Sequence, residues 1–195
     1  MHDVVVVVGY LGDEIAASVR GHEGIAVTTN LQHEGNGSIS SLAAAHDGLS
    51  SDVLILNSDL VYERQLLQAL LAADCNLALV ASRARARARD VHLLLRDRRI
   101  LDVGKHIPTG ESDAAFCGAG LVRQIELARF AHTLEQTTAS GMRTGWSFVF
   151  RSLAAEGVEI RAIDYDGPWW NINSVRDYTA AQQWARAKWN SGAHL

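Results

Sequence analysis

The stretch Ser51 to Leu60 constrains the fold of this chain more than any other. Val53, Leu54, Ile55 and Leu56 run without a break, then the chain turns polar at Asn57 and delivers Asp59. An uninterrupted Val/Leu/Ile run reads as a strand buried on both faces, in a parallel sheet covered by helices. Ligands collect at the carboxyl ends of such strands, which is where Asp59 stands. A carboxylate at that rim suits Mg²⁺, which takes one or two carboxylates plus substrate phosphates. The plainer alternative is that Asn57 and Asp59 only form a turn and cap the next helix.

The elements around this strand alternate. Val4 to Val8 is five consecutive valines followed by Gly9-Tyr10, a second central-strand signal. Gly12-Asp13 opens a helix to about Arg20, and Ile25 to Thr29 is a short strand. Asn30 to Gly37 is a polar loop, and Ser38 caps a helix to about Gly48. Glu63 to Ala73 carries Leu66, Leu67, Leu70 and Leu71 at helical spacing, and Leu77 to Ala81 is another strand. This rhythm predicts a Rossmann-like three-layer α/β domain with a mostly parallel sheet. Val91 to Leu95 and Ile100 to Val103 flank Asp97-Arg98 as a hairpin, with Lys105 directly after. Phe116 to Val122 is a strand holding two glycines. Helices are expected over Gln124 to about His132, Trp146 to Glu156 and Val175 to about Lys188. A loop is expected over Thr137 to Thr144 and a strand over Val158 to Ile163. No linker or repeat divides residues 1–195, which form a single domain.

Composition narrows the function classes. The net charge of −4 gives no basic excess for nucleic acid. No apolar run is long enough for a membrane span, and the start is too briefly apolar for a signal peptide. Cys75 and Cys117 form no metal-type pair and fit buried thiols in a reducing cytoplasm, so a cytoplasmic location is expected. His2, His22, His33, His46, His92, His106 and His132 show no metal-ligand spacing and read as surface residues. Arg83, Arg85, Arg87 and Arg89 alternate with alanines. On a strand they would share one face, either a basic strip for phosphate or, more ordinarily, a solvated edge that blocks edge pairing. Trp169 and Trp170 either pack in the core or wall a pocket able to cage a quaternary ammonium.

Several segments, in order, carry a family resemblance. They are Val4 to Tyr10, Asn36-Gly37-Ser38-Ile39-Ser40-Ser41-Leu42, Leu54-Ile55-Leu56-Asn57-Ser58-Asp59, Gly104-Lys105, and Trp170-Asn171-Ile172-Asn173-Ser174 before a helix with Asp177. Together they resemble the nucleotidyltransferase superfamily, the sugar-phosphate nucleotidylyltransferases and their relatives. The branch they are most similar to is the small cytidylyltransferases acting on phosphocholine, aminoethylphosphonate or inositol phosphate. The resemblance implies transfer of a nucleoside monophosphate, CMP favoured, from an NTP to a phosphorylated or phosphonate small molecule, with release of pyrophosphate. It implies a two-ligand Mg²⁺ site at Asp59 and Asn173, and a nucleotide-base wall at Asn36, Gly37, Ser38 and Ser41. It places Lys105 toward the acceptor phosphate as a point charge. Asn173 stands where Asp is usual and contributes less charge; Ser174 stands where Thr is usual. The plainer readings are N-caps for the Ser38 and Ser174 segments and a surface charge for Lys105.

One departure sets an alternative. The family's Gly-rich loop, of the kind Leu-Ala-Ala-Gly-x-Gly-x-Arg, is absent from this sequence, which starts at the counterpart of the family's second strand. About one βα unit, on the order of 30 residues, has no counterpart here. Its strand would lie between the Val4 and Val53 strands, leaving both with unpaired backbone groups. The expectation is an N-terminally truncated domain whose own activity is doubtful. The alternative function is a non-catalytic nucleotide-binding relative, or a fragment that pairs with a second copy or a complementing segment. A glycosyltransferase of similar topology is disfavoured, because those enzymes hold metal with two acids spaced one apart and the first position here is Asn57.

Overall fold

The computed structural model describes residues 4–46, 49–83 and 87–190. Arg85 and the expected end of the Ser38 helix near Gly48 lie outside the described residues. The elements run β1 (Val4–Val8), α1 (Gly12–Val19), β2 (Ile25–Thr29), α2 (Ser38–Ala45), β3 (Val53–Leu56), β4 (Leu60–Tyr62) and α3 (Arg64–Leu71). They continue as β5 (Leu77–Ser82), β6 (His92–Arg96), β7 (Arg99–Gly104), β8 (Ala114–Val122), α4 (Leu127–Ala139), α5 (Ser147–Ala155), β9 (Arg161–Asp164), β10 (Trp169–Asn171) and α6 (Val175–Asn190).

Six strands form the main sheet in the order β3-β8-β5-β9-β7-β6, with β6 also touching β8. β5 and β9 are parallel, and β3 and β5 run the same way because both oppose β8. The sheet is therefore mixed, with β8 running against its neighbours. The alternation of helices and strands that the sequence announces is present; the reversal at β8 is not encoded in periodicity.

Strand periodicity sorts the side chains onto two faces. Leu77, Leu79 and Ala81 of β5 join Ile39 and Leu42 of α2, Ile55 of β3, Phe130 and Leu134 of α4, and Val149, Phe150 and Leu153 of α5. Ala78 and Val80 face the other way, with Leu66 and Leu70 of α3 and with Cys117, Ala119 and Leu121 of β8. These are the expected three layers. Phe150 is fully buried and meets Phe130 and Trp146 at ring distances of 5.2 and 5.8 Å.

The first unit stands apart. Among the described residues β1 pairs only with β2, in a two-stranded parallel sheet, and no ladder joins β1 to β3. Of the five valines only Val8 is buried; Val4 and Val5 are 42% and 43% exposed. Tyr10, Leu11, Ile15, Val27 and Leu31 are exposed as well. The unit is attached through α2, whose Ser40 and Ser41 hydroxyls accept from the Asn30 amide at 2.9 and 3.1 Å.

Three local expectations are corrected, and one pairing was not expected. α4 runs to Ala139 rather than ending near His132. Thr133, Thr137 and Thr138 lower helix propensity, but their hydroxyls donate back to the carbonyls of Arg129, Thr133 and Leu134 and tolerate the helix. β4 and β10 are three residues each, too short to show a period, and pair with one another. Arg83, Arg87 and Arg89 follow β5 and lie on no strand. His92 is buried, 1% exposed, with Nε2 at 3.5 Å from the Thr109 hydroxyl.

Asp52 ties the sheet together from outside. Its carboxylate accepts from the Gln124 backbone N–H and from Arg123, both at 2.8 Å, and Arg123 also donates to the carbonyls of Leu71 and Ala73. The Gln124 N–H first, and the Arg123 guanidinium second, hold the Asp52 carboxyl below its ordinary value. A depressed carboxylate contributes stability above its unfolded value, about 3.9, and loses it as pH falls through the folded value.

Two outcomes are expected. Phe150→Ala should lower stability by about 3–5 kcal/mol, read from urea unfolding, with the slope of the transition unchanged. Asp52→Asn should lose stability at pH 7 and unfold with a flatter dependence on pH below about 4, read as Tm against pH; an acid limb identical to that of the wild type would contradict the assignment.

Candidate functional site

The β4–β10 pair builds the site. Antiparallel pairing sets Leu60 opposite Asn171, and the Ile172 N–H donates to the Asp59 carbonyl at 2.8 Å. The carboxyl end of β3 and the late Trp-Trp-Asn-Ile-Asn segment are thereby fixed side by side. With its amide nitrogen turned inward, Asn171 donates to both carboxylate oxygens of Asp59, at 2.7 and 3.2 Å. With its oxygen turned inward, carboxylate and amide oxygens face one point in space, the arrangement a shared hard cation requires. Burial pushes the Asp59 carboxyl above its ordinary value, offset in part by its own backbone N–H. Among the described residues no side-chain charge counters it.

Asn173 sits two residues beyond Asn171. Its side-chain amide donates to the Asn171 carbonyl at 3.3 Å, and its backbone N–H reaches Asp177 at 3.3 Å. The side chain that reaches Asp59 is thus Asn171, which the sequence reading did not single out. Its signal was available: Asn171 and Asn173 alternate, and alternate residues of a strand share a face. Asp59 and the Asn171 amide oxygen are hard-oxygen donors of the kind Mg²⁺ takes, with one negative charge. Among the described residues no group of three or more His, Cys, Asp or Glu residues is arranged to hold a metal ion.

The Asn36 to Ser41 segment is held by the loop before α5. Gly37 has φ +70°, and a Cβ there would lie 2.3 Å from the Thr144 carbonyl oxygen, so only glycine fits. The Ile39 N–H donates to that same carbonyl, and the Ser38 hydroxyl accepts from the Trp146 N–H at 3.2 Å. Asn36 donates to the Gln32 carbonyl. The close approach at Gly37 is therefore to Thr144. Trp146, which the sequence reading passed over as a helix start, couples this segment to the metal-side stretch. Its indole N–H donates to Asn57 Oδ1 at 2.8 Å, and the Asn57 N–H donates to the Gly118 carbonyl at 2.9 Å.

Lys105 is exposed, just past β7. No hydrogen bond or ion pair joins it to Asp59 or Asn173 among the described residues. The hairpin register sets Gly104 opposite His92, so Lys105 lies at the end of the β6–β7 hairpin where the Arg87 to Asp90 turn enters. Arg83, Arg87 and Arg89 are about half exposed and each also reaches a carboxylate. Arg83 pairs with Asp164 at 3.2 Å; Arg89 and Arg87 reach Asp177 Oδ1 at 2.5 and 3.8 Å. Arg89 first, then the Ser174 hydroxyl, hold the Asp177 carboxyl below its ordinary value. Trp169 is buried, and Trp170 lies against Trp184 at a ring distance of 4.9 Å.

No helix among the described residues is long and apolar enough to cross a membrane. No family model matches the sequence, and no curated protein matches it. Solved structures do match. The inositol-1-phosphate CTP transferase from T. maritima superposes with TM-score 0.77 at 16% identity, over 96% of this chain and 78% of that one. The CTP:phosphocholine cytidylyltransferase from Streptococcus pneumoniae gives 0.73 at 15% identity, over 95% and 79%. A UDP-glucose pyrophosphorylase complexed with UDP-glucose gives 0.69 at 12% identity, over 94% and 80%. The chain has the fold of the sugar-phosphate nucleotidylyltransferases.

Proposed function

We propose that this chain is a nucleotidyltransferase that moves a nucleoside monophosphate, CMP favoured, from an NTP to a small phosphorylated or phosphonate acceptor. An acceptor phosphate oxygen forms the new bond to the α-phosphorus; the α–β bridging bond breaks and pyrophosphate leaves with its electron pair. The acceptor oxygen is already a nucleophile, so the reaction asks for positioning and charge neutralisation rather than a general base. The observation that carries this reading is the Asp59–Asn171 pair at the carboxyl end of β3, on a fold shared with enzymes named for CTP and UDP-sugar chemistry.

Mg²⁺, when bound, neutralises triphosphate charge. Asp59 would hold it with the amide oxygens of Asn171 and Asn173. The loop from Asn36 through Gly37 and Ser38 to Ser41 forms the base-side wall, kept rigid by Thr144 and Trp146. Lys105 offers one mobile cation to the acceptor phosphate. A cytoplasmic location fits these substrates.

A second reading rests on a separate observation, the open edges of β1 and β3. An edge rich in valine is a template for another strand. In this reading the domain works only with a complementing strand or a second copy beside β1.

The two readings give distinct outcomes. CTP affinity measured by calorimetry should rise when Mg²⁺ is added, and Asp59→Ala should remove that gain by on the order of tenfold; equal affinity with and without Mg²⁺ would remove the metal role. On the second reading residues 1–195 alone release little pyrophosphate from CTP with phosphocholine, aminoethylphosphonate, inositol phosphate or sugar phosphates, whereas on the first they release it at a rate that Asp59→Ala lowers by about 10²–10³. Robust release that disappears in Asp59→Ala would show a self-sufficient enzyme and end the complementation reading.

A further inference from the structure

The Arg87 to Asp90 turn closes over the start of α6 and leaves a shallow cleft lined by Arg87, Arg89, Asp90, Trp169, Trp170 and Asn171, with Asp177 at its base. Two guanidinium groups converge there on a single carboxylate oxygen, Asp177 Oδ1. Both remain about half exposed, whereas the Asp177 side chain is only 7% exposed. Asp90 is engaged elsewhere, accepting from the Arg87 N–H at 2.9 Å.

The two oxygens of Asp177 have separate tasks. Oδ2 accepts from the Ser174 hydroxyl at 2.7 Å and from the Asn173 N–H at 3.3 Å, which caps α6. Among the described residues Oδ1 meets only Arg87 and Arg89. Asp177 can therefore release the arginines and keep its place in the cap. Planar guanidinium forks match the oxygens of a phosphate or phosphonate, and a dianion attracts them more strongly than one carboxylate. The cleft adjoins the candidate site, because Asn171 lines it and also reaches Asp59.

We propose that Arg87 and Arg89 form a subsite for a dianionic phosphate or phosphonate group, and that Asp177 fills it as an internal counter-ion which the ligand displaces. The identification of that group with the acceptor rests on the transferase reading above; the binding itself does not. The subsite gives the acceptor two cations in addition to Lys105, and it gives Arg87 and Arg89 a use although neither lies on a strand.

The test is calorimetric titration of the full chain with inorganic phosphate and, separately, methylphosphonate. Arg89→Ala should weaken both by on the order of tenfold or more. Asp177→Asn keeps the cap geometry but removes the competing charge, and should tighten both several-fold. Arg83→Ala, whose partner is Asp164, should change neither. Arg89→Lys, expected to be intermediate, serves if the alanine variant does not fold, as judged by thermal unfolding. An Asp177→Asn protein that binds phosphate no more tightly than the wild type, or an Arg89 variant that binds it equally well, overturns the proposal. The same holds if phosphate binds neither the wild type nor Asp177→Asn. Phosphate affinity that follows the expected order in a protein without nucleotidyl transfer would uphold the subsite and sink the transferase reading alone.

Discussion

The pairing of β8 is the constraint on which the rest of the molecule depends. All nine of its residues are buried, and it forms ladders with β3, β5 and β6. A strand that serves three neighbours cannot shift register without breaking all of them. Its two glycines make room for the site. A Cβ on Gly118, at φ +80°, would press on the Asn57 amide at 3.0 Å, and one on Gly120 would meet the Trp146 ring at 3.2 Å. Asn57 and Trp146 are the pair that joins the base-side loop to the stretch carrying Asp59. Backbone packing in the middle of the sheet thus sets the distance between the two halves of the candidate site.

Much of this was legible in the sequence, for a physical reason. Unbroken apolar runs such as Val53 to Leu56 and Leu77 to Ala81 admit few alternatives to buried strands, and leucines at helical spacing identify α3. What was hidden is what three-residue ladders and tertiary partners decide. β4 and β10 have no period of their own; Asn171 meets Asp59 only because those two strands pair. Arg83, Arg87 and Arg89 looked like an edge face because alternation is a strand pattern, yet their charges meet Asp164 and Asp177, which lie far along the chain. The threonines of α4 read as a loop until their hydroxyls found carbonyls one turn back.

The candidate site is sparing with charge. One carboxylate, Asp59, faces the Asn171 amide, and burial already opposes its ionisation. A hard cation held by so few charges binds weakly on its own and more firmly with a triphosphate that brings its own oxygens. On the proposed transferase reading, such a site would couple metal and nucleotide, each having little reason to stay without the other. The positive side is handled in the opposite way, with several arginines kept in ion pairs.

The separate β1–α1–β2 unit has a consequence for the timing of motion. Local opening follows the amount of apolar contact and ladder that must be broken. β8 can release its amides only when the whole sheet comes apart, so its protons should be the last to exchange with solvent. β1 has one strand partner and a single buried valine, so its amides can open while the sheet stays closed. The chain is in this respect two cooperative units sharing α2. Any ligand or strand that settles against β1 would register first as slowed exchange in Val4 to Val8, before the stability of the sheet changed at all.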